Sequence, residues 1–359
     1  MDDAALDAAR QRGDTVADAV VLRLGREMWA MNTLMQGCRV NSQPLPDKLP
    51  VAAREFFEQH SSLPSWFQKS RVAAAQRWAN QHLLHITAAL FHASLPSAYA
   101  AAKGATVLLA TGRMESDIDR RVNVTARFVV DLLAQGSFEP QGLGIRSIQQ
   151  VRLVHAAVRY WLRDRKPWPD EVALNQEDLL GTLFTFSVVV IRAARRLGVS
   201  VSVQEADDFY HLWRVVGALL GVEEALMPHD FAGAEALSNR IAQRHFRPSE
   251  AGQQLMKALL TRINQHVMIP SATAYLVRRL SGDRVAELLG VAEDPSFQAT
   301  VGKLTRLPLL DRLPLKTVLP QLTNVVGQPL LSSIIARNLG GDLPGFAAPT
   351  SSMMRNYED

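Results

Sequence analysis

Apolar residues recur every three or four positions along most of this chain, and period-two alternation with β-branched enrichment is scarce, so the pattern predicts an all-α protein. Asp14 is placed to cap a helix that runs through TVADAVVLRLGREMWAMNTLMQ and stops at Gly37, a usual residue just past a helix end. Pro44, Pro46 and Pro50 then mark a linker, and Pro50 suits the first turn of VAAREFFEQH. A long helical segment from Arg71 is expected to end at Pro96, with a further helix starting at Ser97. Another spans Ile118 to Gln135 and is closed by Gly136 and the loop GSFEPQGLG. Ser147 is expected to cap the helix containing VRLVHAAVRYWL.

The connector RDRKPWPDEVALNQED is polar, proline-bearing and longer than usual helix–helix loops, which marks it as a candidate lid-like segment. Helices are predicted beyond it at Leu179 to Leu197, Glu205 to Leu220, Phe231 to His245 and Ser249 to His266. The tail over 300–359, with Pro308, Pro314, Pro320, Pro329, Pro344 and Pro349, is expected to break into short helices. No repeat, low-complexity block or composition shift divides the chain. Residues 1–359 therefore read as one domain, with 1–50 forming an N-terminal helix and linker.

Composition sharpens this picture. With 359 residues, 47% of them apolar, the chain can bury a large core without cross-links. Its lone cysteine, Cys38, excludes an internal disulfide and a thiolate pair for a metal, and reads as a small buried apolar residue. The 39 basic and 35 acidic residues leave a net charge of +4 without any polybasic block, which argues against nucleic acid as a partner. The acidic start MDDAALDAARQRGD lacks the basic and apolar regions of a secretory signal. The most apolar stretch, LLGTLFTFSVVVI, is too short to span a bilayer. A cytoplasmic protein without a transmembrane segment is expected, with contact at a membrane surface left open.

Several chemistries find no support. The GLG at Gly142 to Gly144 and the pair Gly340 and Gly341 lack the strand, helix and lysine of a phosphate loop, and Ser97 lacks the flanking glycines of a nucleophile elbow. His82 and His85 share a helix face, but two leucines stand between them where a zinc protease has its glutamate. They read as boundary histidines. NQED, Asn175 to Asp178, suits the first turn of the next helix, where carboxylates complement the macrodipole. His211 reads as packed or hydrogen-bonded on a helix.

Arg152, His155 and Arg159 are different, because they lie at spacings of three and four inside an apolar run. Burying arginine costs on the order of several kcal/mol unless an anion receives it, and no carboxylate lies between Gln149 and Leu162. One helix earlier, Arg121 and Thr125 lie four apart on one face of RVNVTARF. One reading is a satisfied core histidine whose arginines reach solvent along their stems. The other is a haem, whose iron needs an axial ligand and whose propionates need cations. Spacing does not choose between them.

Five segments in order, SLPSAYAAAKGATVLLATGRM, RVNVT, VRLVHAAVR, NQEDLLGTLFTFS and FYHLWRVVGALLG, resemble the rubber-oxygenase catalytic-domain family. That family includes latex-clearing proteins and the fungal enzyme that oxidatively cleaves a farnesyl chain in mycophenolic acid biosynthesis, and the resemblance covers 64–220. It implies an all-α fold with a globin-like helical core, extended here by extra N- and C-terminal helices, and haem b as cofactor. His155 matches the iron ligand of the family's Arg-x-x-His pattern. Arg152 opens that pattern, Arg159 matches the arginine four beyond it, and Arg121 and Thr125 match the Arg-x-x-x-Thr pair near the haem.

Val124 stands where rubber-cleaving members carry a lysine, and Ala105 stands where they carry an acidic residue proposed as a base. The resemblance with these departures implies a haem-dependent oxygenase that uses dioxygen on a carbon–carbon double bond of a small hydrophobic, prenyl-like molecule, and not on polyisoprene itself. Val124 would place an apolar group beside the iron, Arg152 and Arg159 would meet propionates or support the groups around the haem, Arg121 would bind a propionate or polarise the bound ligand, and Thr125 would donate to a bound oxygen species. A peroxidase-like or peroxygenase-like enzyme, or a haem-binding sensor or carrier, are the alternative readings.

Overall fold

Capping chemistry starts several helices where the sequence places them. The Asp14 side chain accepts a hydrogen bond from the Ala17 amide at 3.2 Å, and Ser202 and Glu205 form a reciprocal capping box. Asp230 and Ser249 accept from the amides of Gly233 and Gly252 at 2.7 and 3.1 Å. These interactions are seen in a computed structural model, which describes residues 1–111, 118–163, 172–265 and 269–299. The tail over 300–359 and part of the connector lie outside the described residues.

The helices are α1 (Asp3–Arg10), α2 (Thr15–Leu24), α3 (Met28–Met35), α4 (Val51–Gln59), α5 (Lys69–Gln81), α6 (Leu83–Ala89), α7 (Leu95–Ala100), α8 (Ala102–Ala110) and α9 (Ile118–Leu133). They continue with α10 (Gly144–Leu162), α11 (Gln176–Phe186), α12 (Val188–Arg196), α13 (Val203–Leu219), α14 (Phe231–His245), α15 (Glu250–Asn264), α16 (Pro270–Ser281) and α17 (Asp283–Leu288). Among the described residues no strand forms, and one isolated bridge joins Ala101 to Phe246. The all-α expectation therefore holds.

Several expected helices are subdivided. The one expected from Asp14 to Gly37 breaks at Gly25, whose φ of +46° favours glycine, and a 3₁₀ turn leads into α3. Pro96 does not end its segment. A π-helical stretch, Leu90–Ser94, joins α6 to α7, and Pro96 sits in the first turn of α7, where its missing N–H is not needed. The break falls instead at Ala101, which is extended. The helix expected over Leu179 to Leu197 divides at Ser187 into α11 and α12, and the Ser187 hydroxyl donates to the Leu183 carbonyl at 2.8 Å.

Ser147 is not a cap. α10 begins three residues earlier, at Gly144, and the Ser147 hydroxyl donates to Asp131 on α9 at 2.8 Å. Gly142 allows that early start, because a Cβ there would run into the carbonyl groups of Gly136 and Ser137.

Packing among the described residues builds one large core, one smaller one and two minor clusters. α13 packs most extensively on α5 and contributes Phe209, Tyr210, Leu212, Trp213, Val215 and Val216, all buried. The smaller cluster gathers α2, α3 and α4 with Leu153 and Ala156 of α10. Cys38 is buried within it, as the sequence suggests. Because Ile148 and Val151 of α10 belong to the large core, this helix joins the two clusters. No described helix is long and apolar enough to cross a membrane.

Candidate functional site

The electrostatic problem of α10 is solved by α2. Arg152 donates through Nε to Asp14 Oδ2 at 2.5 Å and through Nη2 to Oδ1 at 2.9 Å, and Nη1 reaches the Leu219 carbonyl at 3.4 Å. One turn further along α2, Asp18 accepts from Arg159 Nε at 2.8 Å, and Arg159 Nη1 reaches the Leu174 carbonyl. Both arginines are buried. A two-pronged guanidinium–carboxylate contact such as Arg152–Asp14 is the arrangement that makes burial of the charge tolerable.

The anion demanded by the sequence is therefore a pair of carboxylates from the chain itself. Arg152 and Arg159 thus fasten α2 to α10, and Arg159 keeps one buried nitrogen, Nη2, without a hydrogen-bond partner. Gly221, with φ at +85°, lets the backbone pass directly beside Asp14 and Arg152, where a Cβ would collide with both side chains.

His155 lies between the two arginines in sequence but points elsewhere. Its Nδ1 is buried without a hydrogen-bond partner. Burial, with the neighbouring Arg159 charge, lowers its pKa to about 4, so the ring is neutral at pH 7. The ring lines a cavity of about 460 Å³. Val151, Val154 and Val158 of α10 stand beside it, and Val122, Val124, Thr125, Phe128 and Val129 of α9 also line the cavity. The structure thus brings His155, Val124 and Thr125 to one cavity. The side chain of Arg121 lies outside the described residues.

Ala105 is fully buried but is not part of the wall, which is formed instead by its neighbour Gly104. The π-helical stretch contributes Leu90, Phe91 and Ser94 to the lining. Its His92 is fully buried, with Nδ1 donating to the Ala88 carbonyl at 3.0 Å.

NQED does more than start a helix. Asn175 caps α11, its side chain accepting from the Asp178 amide at 2.9 Å, as expected of a first turn. Glu177, however, is fully buried and lines the cavity, together with Asp178 and His245. Glu177 Oε1 lies 2.8 Å from Arg244 Nε and 2.9 Å from His245 Nε2, and Oε2 lies 3.3 Å from Arg10 Nη1. Burial alone would push this carboxyl up, but the hydrogen bonds from His245 and Arg244 more than offset it and hold the pKa below the ordinary value. His245 gave no signal in the sequence, since its partner Glu177 lies in a different helix.

The remaining histidines keep to the roles expected of them. His211 is buried, its Nε2 accepting from the Gln68 amide at 3.2 Å. The rings of His82 and His85 pack 5.8 Å apart, and His82 also packs against Trp78. Among the described residues no group of three or more His, Cys, Asp or Glu side chains could hold a metal. A metal bound here would need a cofactor to supply the remaining ligands.

An all-helical protein with a neutral, unpaired imidazole in an apolar cavity is the class that fold and site define together. Residues 70–307 match the family model for the ER-bound oxygenase mpaB/B'/Rubber oxygenase catalytic domain, and the chain belongs to that family of oxygenases. A rubber oxygenase from Streptomyces sp. (strain K30) is 26% identical over 309 residues, which cover 84% of this chain and 74% of that one. In fold, the chain is similar to latex clearing protein LCP in the closed state, with a TM-score of 0.69 and 24% identity over 96% of this chain and 88% of that one.

Proposed function

We propose that this protein is a haem b-dependent oxygenase that uses dioxygen on a carbon–carbon double bond of a small hydrophobic, prenyl-like molecule. The observation that carries this reading is His155: a neutral imidazole with no protein partner at Nδ1, facing an apolar cavity. An iron ligand must offer a lone pair, and burial keeps this ring unprotonated. The residues present fit the group at its iron, which His155 would hold. They fit less well at the propionates, because Arg152 and Arg159 are already paired with Asp14 and Asp18, and only Arg159 Nη2 is left without a partner.

When bound, the haem would supply the activation of dioxygen. The chain would do the rest. Valine and phenylalanine side chains from α9 and α10 exclude water and hold an apolar substrate by dispersion and hydrophobic contact. Thr125 places a hydroxyl on that wall, able to donate a hydrogen bond to a polar group beside it. Val124 offers no nitrogen, so no side chain competes for the iron from that position. The cavity volume is within the usual range for small-molecule sites. The Streptomyces relative is a rubber oxygenase by name. The finer difference proposed here is chain length.

Expression with added haem, followed by an absorption spectrum, tests the reading. The wild type is expected to show a Soret band, and His155→Ala is expected to lose or strongly shift it. A wild type without the band overturns the haem assignment. An unchanged band in His155→Ala removes His155 as ligand. Carbonyl products from short alkenes, with oxygen uptake, then test the reaction itself.

A further inference from the structure

The cavity wall carries a second polar centre that the oxygenase reading leaves without a task. His245 ends α14 and Glu177 opens α11, and both line the cavity. With Glu177 ionised, the 2.9 Å contact requires His245 Nε2 to carry the proton and donate it to the carboxylate. Arg10 Nη1 reaches that nitrogen only at 3.5 Å. In the neutral ring Nδ1 then keeps a lone pair, and no described residue hydrogen-bonds to it. A fixed acceptor at the wall of an apolar cavity is a place for a ligand donor.

We propose that the Glu177–His245 pair is a docking subsite for the hydroxyl head group of an unsaturated alcohol, whose O–H donates to His245 Nδ1 while its chain lies along the apolar wall. The surrounding charge selects the head group. Arg10, Arg244 and the more exposed Arg240 are the cations at this end, and they face four carboxylates: Glu177 and Asp178 on α11, and Asp3 and Asp7 on α1. A carboxylate ligand would add a fifth negative charge against cations already engaged. A hydroxyl supplies the missing donor and adds none. Glu177 is a positioning residue in this arrangement, because it fixes the tautomer and the ring through Nε2. The inference deepens the proposed function, on which it rests for the chemistry at the alkene but not for the place of the head group.

The test is calorimetric titration of the protein purified after haem-supplemented expression. The probes are four ten-carbon dienes that differ only in their end group: an alcohol, an acid, an amine and the plain hydrocarbon. The alcohol is expected to bind about three- to tenfold more tightly than the hydrocarbon, the range of one net hydrogen bond, with the acid no tighter than the hydrocarbon. His245→Phe keeps an aromatic ring but no acceptor. It should abolish the alcohol's advantage while leaving the hydrocarbon's Kd within about twofold.

Equal binding of alcohol and hydrocarbon by the wild type overturns the proposal, and so does a preference for the acid or the amine over the alcohol. An advantage that survives in His245→Phe does the same. If that variant fails to fold, the wild-type ranking alone decides. A missing Soret band would overturn the haem assignment but not the head-group subsite, because the ranking of the four probes needs no turnover.

Discussion

Arg152 and Asp14 show how much one contact between distant residues can decide. Their side chains are buried, the carboxylate accepts two hydrogen bonds from the guanidinium, and the same Asp14 caps α2. Asp14→Ala is expected to destabilise the protein by about 3–5 kcal/mol, because it strands a buried charge as well as removing a cap. Replacing both partners with apolar residues should cost much less. Urea unfolding of the single and double variants checks this. Equal losses in the two would mean that the stranded charge is not the cause.

The same contact marks the limit of what one sequence shows. The need for an anion was legible from spacing on α10, because three long polar side chains in an apolar run must be satisfied. Its source was not, because Asp14 lies 138 residues away and nothing local connects them. His155 was legible as a candidate for the opposite reason: its identity and its place on an apolar helix sufficed. Glu177 was legible only as a helix start, since its partners come from α1 and α14.

At the scale of elements, periodicity located the helices from α2 to α15, misplaced several of their interruptions, and gave no sign of α1, α16 or α17. Phe231 to His245 matches α14 at both ends, because a capping Asp230 and an extended Phe246 bound it locally. The break at Ser187 and the π-helical stretch over Leu90–Ser94 have no comparable local marker, since their residues are apolar or small and suit a continuous helix. Pro96 misled because its position relative to a helix start could not be known.

Close approach between elements gives a second test. Gly252 lies in the first turn of α15, where a Cβ would run into the Tyr99 carbonyl of α7. Gly252→Ala is expected to cost about 1–3 kcal/mol by overpacking, despite the higher helix propensity of alanine. Ser202→Ala, which breaks the capping box of α13, should cost about 1 kcal/mol. Chemical denaturation of both variants is the measurement. A Gly252→Ala protein as stable as wild type would show that α7 and α15 can separate at no cost.

For the molecule as a whole, buried histidines set the acid limit. His92 and His211 both have pKa values lowered to about 4, chiefly by burial, from an ordinary 6.5. Between those values the unfolded chain binds protons that the native protein does not, so stability falls as pH drops through that window. The slope is about 1.4 kcal/mol per pH unit for each histidine near pH 5. Below about pH 4 this contribution levels off. Unfolding free energies measured from pH 7 to 4.5 should show the decline, and His211→Gln should lower the slope by about one histidine's share. A flat profile would mean that both rings accept a proton in the native fold.

The family match begins at residue 70, after the two aspartates that neutralise α10 and the arginine that reaches Glu177. A boundary drawn by similarity and one drawn by charge therefore fall in different places. A fragment cut to the matched region would keep the cavity's apolar lining, yet leave Arg152 and Arg159 without counterions and deprive Glu177 of one of its cations. The first twenty residues are thus tied by charge to the matched region, which the pattern of shared motifs does not count. The smallest piece able to fold by itself should keep Arg10, Asp14 and Asp18.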